Sequence, residues 1–487
     1  MNRRHLLTGS AAALGLSIAG CTGREDADDD ETENGENGTG DDGAGGESDP
    51  DAESPDHARS GEDVPGRIDP LGHTLVEDPP FYSFGDLSPD GEWGVMGSFP
   101  TEQSAVASTL VDLEDVEAPN VVHEVDTSDP GAHTNDVKFD ALRDGLYYRS
   151  QEGSLEGIEV VDFGYESGSP AEPEIVASLE APNIGVHKLT THPDEPVLYL
   201  VDLDEQTDVG VITVDVSSPD SPEIVHEIGP TGGCHDVEYD PVREVLHAAY
   251  IVGEAEGYVI YDAADPYELR ELGHFEYDGE PNYTELGDPG FQMAHQADYD
   301  PDRDLGVVGD EVATGVPGGK HVFDLGWDEG SLEDPQPIGF THSPDAREMT
   351  QTEGFWWTTH FHDVVRDGDE TLLVDGGYRQ GAWVCNISDP REPTPTERYA
   401  TITGADQVAD QSAETPGPAS PPFAWAAVYH DGRDVVFVTD SLTGAYTFDV
   451  SAAEARGTDG RGPDDHYDAA SLLEDDADAV ADEDHDH

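Results

Sequence analysis

The sequence predicts an all-β chain: a seven-bladed β-propeller of four-stranded antiparallel blades, with a disordered acidic linker before it and an acidic tail after it. Three observations predict this. A six-residue phrase recurs seven times, opening on a small residue, running through four mostly apolar or β-prone residues and closing on Asp or Asn: Ala107–Asp112, Gly157–Asp162, Gly210–Asp215, Gly257–Asp262, Gly319–Asp324, Gly381–Asn386 and Gly444–Asp449. The closing residues are 50, 53, 47, 62, 62 and 63 positions apart, and a β-rich period of roughly 40–60 residues marks a propeller, solenoid or array. Around each phrase lie short Val-, Ile- and Tyr-rich runs punctuated by Pro, Gly and Asp, which are strand and turn signals. One such unit is a small sheet that cannot bury both faces alone, so it must stack on its neighbours.

The elements follow in chain order. Residues 1–20 read as a targeting segment: Arg3 and Arg4 form a twin arginine, followed by an apolar run from Leu6 to Gly20 that is too short to favour a membrane span. With Ser17-Ile18-Ala19-Gly20-Cys21 at its end, this stretch resembles the signal and lipobox of a twin-arginine-exported lipoprotein of haloarchaeal type. The resemblance implies lipid attachment at Cys21 and a protein held on the outer face of the cytoplasmic membrane. Residues 21–65 are Asp, Glu, Gly, Asn and Ser with almost no apolar content, unable to offset chain entropy by burial, and read as a flexible tether. The propeller is expected over 66–452. Residues 453–487 are acidic again and expected to be mostly disordered.

The unit around Cys234 shows the expected parts of a blade. Cys234–Tyr239 begins a first strand, Asp240–Arg243 turns, Val245–Val252 is a second strand, Gly257–Asp262 a third and Leu269–Phe275 a fourth. The phrases GVITVDVSSPDSPEIV at 210–225 and AWVCNISDPREPTP at 382–395 resemble the LVIVD-repeat family of exported β-propeller-like proteins. The resemblance covers about 70–452 and implies the fold; on activity it is nearly silent. The copy at 107–112 departs from the pattern, lacking the Gly and the downstream Ser-Asp-Pro turn.

Composition narrows the function classes. The formal net charge is −88, from 109 acidic against 21 basic residues. Only Lys138, Lys188 and Lys320 are lysines. At molar salt the Debye length is about 3 Å, which screens such self-repulsion. The charge therefore reads as adaptation to a hypersaline medium. No basic stripe exists to neutralise phosphates, so nucleic acid is not an expected partner. Phosphate-cradling Gly-rich loops, nucleophile elbows and C-x-x-C pairs are all missing from the sequence.

The recurring register locates candidate chemistry. Five residues before the first-strand turn lie Gly85, Asn135, His187, His235, His295, His362 and Ala426, four histidines in seven equivalent places. Two positions further upstream, His133 and His360 match each other. First strands line a propeller's central channel, so these imidazoles are expected to ring one mouth. A second ring is expected from Asp202, Asp310, Asp375 and Asp440 at the ends of second strands. Insertions at about 277–292, 341–358 and 402–422, carrying Tyr283, Phe291, Phe355, Trp356 and Trp357, fall on the same face.

Imidazoles with a carboxylate suit Zn²⁺, Cu²⁺, Fe²⁺ or Ni²⁺, and carboxylates alone suit Ca²⁺. The competing reading is a hydrogen-bonded clamp within each blade. Cys234 and Cys385 read as structural. Two function classes follow. One is a lipid-anchored binding module, monomeric, holding a protein, glycan or small ligand on the insertion-rich face. The other is a metal-dependent oxidase or hydrolase using His133, His187, His235, His295, His360, His362, Asp310 and Asp375.

Overall fold

The structure is a computed structural model that describes residues 68–450 except 101–103, 130, 154–156, 182–184, 254, 278–289, 312–317, 343–357, 406–407 and 409–420. The readings placed on Arg3, Arg4, Cys21, the linker and the tail lie outside the described residues, as do Tyr283, Phe355, Trp356 and Trp357.

Among the described residues the chain is all-β with no helix, and its sheets are antiparallel meanders of the β-propeller-like class. Four-stranded sheets span residues 81–126, 189–228, 232–275 and 294–341. A fifth sheet spans 132–180, its first strand split into Ala132–His133 and Val137–Phe139, both paired with Leu146–Gly153. The last sheet has eight strands: the meanders 361–399 and 424–449 meet through a single parallel bridge, Phe361 to Ala426. The segment Asp69–Thr74 adds to its far edge, antiparallel to Gly444–Asp449. The two ends of the described chain are therefore hydrogen-bonded to each other.

The recurrent phrase forms the third strand of each meander, and its end residues explain why it recurs. A Cβ at Gly157, Gly257 or Gly381 would meet the carbonyl oxygen of the fourth strand at 1.9, 2.3 and 2.2 Å, at Leu179, Phe275 and Tyr399 respectively. All three glycines also have positive φ, which side chains rarely tolerate. The closing Asp or Asn builds the turn that follows. Asp162 accepts from the N–H groups of Gly164, Tyr165, Glu166 and Ser167. Asp215 and Asn386 each accept from the residue two positions on, an Asx turn.

Packing runs from sheet to sheet around a closed order. Tyr199 and Val211 pack with Leu246 and Val259 of the next sheet; Ala249 and Tyr258 in turn pack with Val308 and Phe323. Met96 and Val111 of the first meander pack on Phe437 and Ala445 of the last. Inner strands are buried along their length, whereas the outermost, such as Glu223–Ile228, alternate exposed and half-buried. Hydrophobic burial between faces thus holds the sheets together.

Arginines strap neighbouring sheets at the first-strand turns. Asp140, Asp240 and Asp300 each accept from the backbone N–H of an Arg three residues on and pair with its guanidinium. Arg143 then donates to the Val216 carbonyl, and Arg303 to those of Ile387 and Ser388. Arg433 closes the order, donating to Gly91 and Leu113 of the first meander.

Candidate metal centre

A β-bulge sets where the first-strand histidines point. Along Gly232–Asp240 the register jumps from Cys234↔Tyr250 to Asp236↔Ala249, leaving His235 as the extra residue. Along Ala294–Asp300 it jumps from Ala294↔Asp310 to Gln296↔Gly309, leaving His295. In Ala424–His430 the bulged residue is Trp425. Such a bulge re-aims one side chain out of the ladder. Phe361–Asp367 pairs without a bulge, so His362 stays in the ladder opposite Asp375, and His360, just before the strand, joins the other histidines.

The structure brings His187, His235, His295 and His360 into one arc. Their ring centroids are 4.3 Å apart for His187–His235, 3.8 Å for His235–His295 and 4.7 Å for His295–His360. Glu152 ties His133 to this arc, lying 3.3 Å from the His133 Nε2 and 2.9 Å from the His187 Nδ1. His362 lies elsewhere. Its buried ring faces a cavity on the other side of Phe361. Equal sequence distance from a turn is not equal position in space, because a bulge consumes one residue in some strands and not in others.

The aspartates at the second-strand ends sit close by but spend their oxygens on the chain. Asp310 accepts from the N–H groups of Gln292 and Met293, which orients the backbone leading to His295. Asp375 accepts from the His360 N–H and pairs with Lys320 at 2.6 Å. Lys320, fully buried, also donates to the His360 carbonyl. Asp202 accepts from Asp204 N–H, and Asp440 from Phe423, Leu442 and Thr443.

His235 and His360 each bond through Nδ1 from one meander to the next. The His235 Nδ1–H donates to the His295 carbonyl at 2.8 Å, and the His360 Nδ1–H to the Trp425 carbonyl at 2.5 Å. A carbonyl only accepts, so in these neutral rings Nε2 carries the lone pair. The Tyr378 hydroxyl reaches the His360 Nε2 at 3.0 Å. Glu311 lies 3.3 Å from the His295 Nε2. One ring nitrogen each from His295 and His360 and one oxygen of Glu311, all buried, lie within 4.8 Å of one another.

The electrostatics keep these rings uncharged. Burial, then the neighbouring imidazoles, holds His295 well below the usual histidine range. Burial likewise lowers His235 and His360, with Lys320 opposing protonation of the latter. Burial raises the Glu311 carboxyl. At Glu152 burial pushes upward too, but the charge and hydrogen bonds of His187 and His133 outweigh it and hold that carboxyl well below the usual range.

Neutral imidazole is the form that ligates metal, and a ring whose other N–H is fixed by a carbonyl is oriented for it. Two imidazoles and one carboxylate suit Zn²⁺, Fe²⁺ or Cu²⁺ better than Ca²⁺. Beside the trio stands an aromatic wall: Phe81 packs against Phe99, Phe423 and Trp425, and Tyr378 against Phe423.

Sequence reasoning did not reach Glu311, Glu152 or Tyr378. Glu311 directly follows Asp310 and was within reach of the same alignment. Tyr378 sits in the three-residue turn before Gly381, where the last unit's matching turn, 441–443, carries Ser441 in its place. Cys234 and Cys385 are free, buried thiols. No protein-family model matches this chain, and no curated protein does.

Proposed function

We propose that this chain is an exported, lipid-anchored β-propeller of seven blades that binds a transition-metal ion through His295, Glu311 and His360. The blade count is supported by seven copies of the phrase and by Asp69–Thr74 serving as the outer strand of the last meander. Export and anchoring at Cys21 are supported by the twin arginine and lipobox-like end of the first 21 residues. The family reading is supported by the phrases at 210–225 and 382–395.

One observation carries the metal reading: three buried ligand atoms of the right types lie within 4.8 Å of one another. The ion would supply Lewis acidity beside the Tyr378 hydroxyl and the aromatic wall. Three protein ligands leave coordination positions open, as in a catalytic rather than a structural site. His235 and His187 extend the donor set along the arc. The binding-module reading shares the same face, with the aromatic wall contributing apolar contact to a ligand.

Metal analysis of the purified full chain tests this. After separate loading with Zn²⁺, Fe²⁺ and Cu²⁺ and desalting, at least one is expected to remain at one equivalent. His295→Ala should lose it, and His362→Ala should retain it. Absence of stoichiometric metal in all three preparations, or full retention in His295→Ala, would overturn the proposal.

A further inference from the structure

On the other side of Phe361 lies a second chamber. Phe361 and Phe84 meet edge-on, ring centroids 5.0 Å apart, between the histidine arc and this cavity. The cavity measures about 370 Å³, and first-strand residues from every meander line it, with the turn residues Ser88, Ala141 and Pro301 at its rim. That volume suits a small organic molecule.

Its charge is unbalanced. Five carboxylates, those of Asp86, Asp236, Glu238, Asp298 and Asp363, face two ammonium groups, Lys138 and Lys188. Lys188 is already committed: its Nζ lies 3.1 Å from Asp136, 3.8 Å from Asp236 and 3.2 Å from the centroid of the Phe84 ring. Three carboxylates are held by the backbone of the next sheet, with Asp86 accepting from Phe139, Asp236 from Ala297 and Asp363 from Tyr429. Glu238 has only long contacts of 3.4 Å with the Thr190 hydroxyl, and Asp298 a bond to Tyr299 N–H.

A separate observation points to a ligand. His362 is 3 % exposed, and neither ring nitrogen has a hydrogen-bond partner. The Asp298 carboxylate stands 3.9 Å from its Nε2, beyond hydrogen-bonding reach. Buried polar atoms without partners are rare in folded proteins and are satisfied by something.

We infer that this chamber binds a small organic cation bearing two or more N–H donors, of the diamine or guanidine class, held by Glu238, Asp298 and His362. A bare metal ion fits less well: among the described residues, the only trio of His, Cys, Asp or Glu ligand atoms within 4.8 Å of one another is His295, Glu311 and His360. Aliphatic carbons of such a cation would lie against Phe361 and Tyr299, which line the same space. Burial raises the Glu238 carboxyl to about 7 even though the Lys138 and Lys188 charges pull it down, with the Asp236 and Asp363 charges adding to the rise.

Calorimetric titration of the full chain in about 2 M KCl, where surface charge is screened, tests the inference with putrescine and agmatine as probes and 1,4-butanediol as neutral isostere. Saturable binding of at least one amine is expected, with no binding of butanediol. Glu238→Gln and Asp298→Asn should each weaken it about tenfold, the loss of a charge-assisted bond. His362→Gln, which keeps the volume, serves if either carboxylate variant fails to fold, with a drop of at least about threefold. His295→Ala should leave amine affinity unchanged, separating this chamber from the metal centre. Failure of both amines to saturate by about 10 mM, equal affinity for butanediol, displacement by equimolar CaCl₂, or unaltered affinity in Glu238→Gln and His362→Gln would each overturn it.

Discussion

The imidazole of His235 donates through Nδ1 to the backbone carbonyl of His295, 2.8 Å away across two sheets. One histidine thereby joins neighbouring meanders and fixes the tautomer of its own ring. His360 repeats the arrangement towards Trp425, and Asn135 uses its amide in the same way towards the His187 carbonyl. The recurrent residue is an inter-sheet connector and, at some positions, a candidate ligand as well.

Removing that connector should cost stability independently of metal. For His235→Ala we expect a loss of about 1–3 kcal/mol in metal-free protein, from one buried bond and the unpaired carbonyl left behind. Denaturant unfolding of the apo protein measures it. No change in midpoint would remove the structural role of this ring.

Closure of the sheet order rests partly on Arg433, whose guanidinium reaches Gly91 and Leu113. Arg433→Ala should destabilise by about 1–3 kcal/mol through lost charge-assisted bonds. Amide exchange should rise first in Asp69–Thr74 and Phe81–Leu87. Uniform exchange across all meanders would argue against a closing role.

Two buried groups give opposite pH dependences. Burial, assisted by Lys320, lowers His321 to about 3 from its usual 6.5. Below pH 6.5 the unfolded chain takes up a proton that the fold refuses, so stability falls on acidification by up to about 1.4 kcal/mol per pH unit. Glu238 is raised from 4.5 to about 7. Its contribution is complete below pH 4.5 and is lost as pH rises towards 7. Urea midpoints across this range should show a shallower acid limb in His321→Gln and a shallower loss towards neutrality in Glu238→Gln. Parallel curves for wild type and both variants would refute these assignments.

With a formal charge of −88, the folded chain should gain stability as salt rises, most steeply between about 0.1 and 1 M, where the Debye length falls from about 10 to 3 Å. Thermal midpoints in KCl would show it. A midpoint insensitive to salt would contradict the reading of the charge as an adaptation to brine.

Much of this molecule was legible in its sequence for a definite reason. In most copies the glycine of the repeated phrase abuts the carbonyl of the strand beside it, and the terminal Asp or Asn caps the next turn; both are local demands. The alternation of short β-prone runs with Asp-Pro and Asp-Gly turns likewise marks strands wherever it occurs, so the all-β class and the limits of most meanders followed directly. Recurrence also singled out His187, His235 and His295.

The tertiary structure alone decided how those histidines act. Whether a strand carries a bulge depends on how it packs against two neighbours; without one His362 stays in its ladder and faces the opposite chamber, while His360 joins the arc from just before the strand. Glu311 meets His295, and Tyr378 meets His360, each within one meander, and only the packing of the two neighbouring meanders brings the pairs together. Spacing along a chain reports local geometry, whereas a cluster of ligands is a property of the packing between sheets.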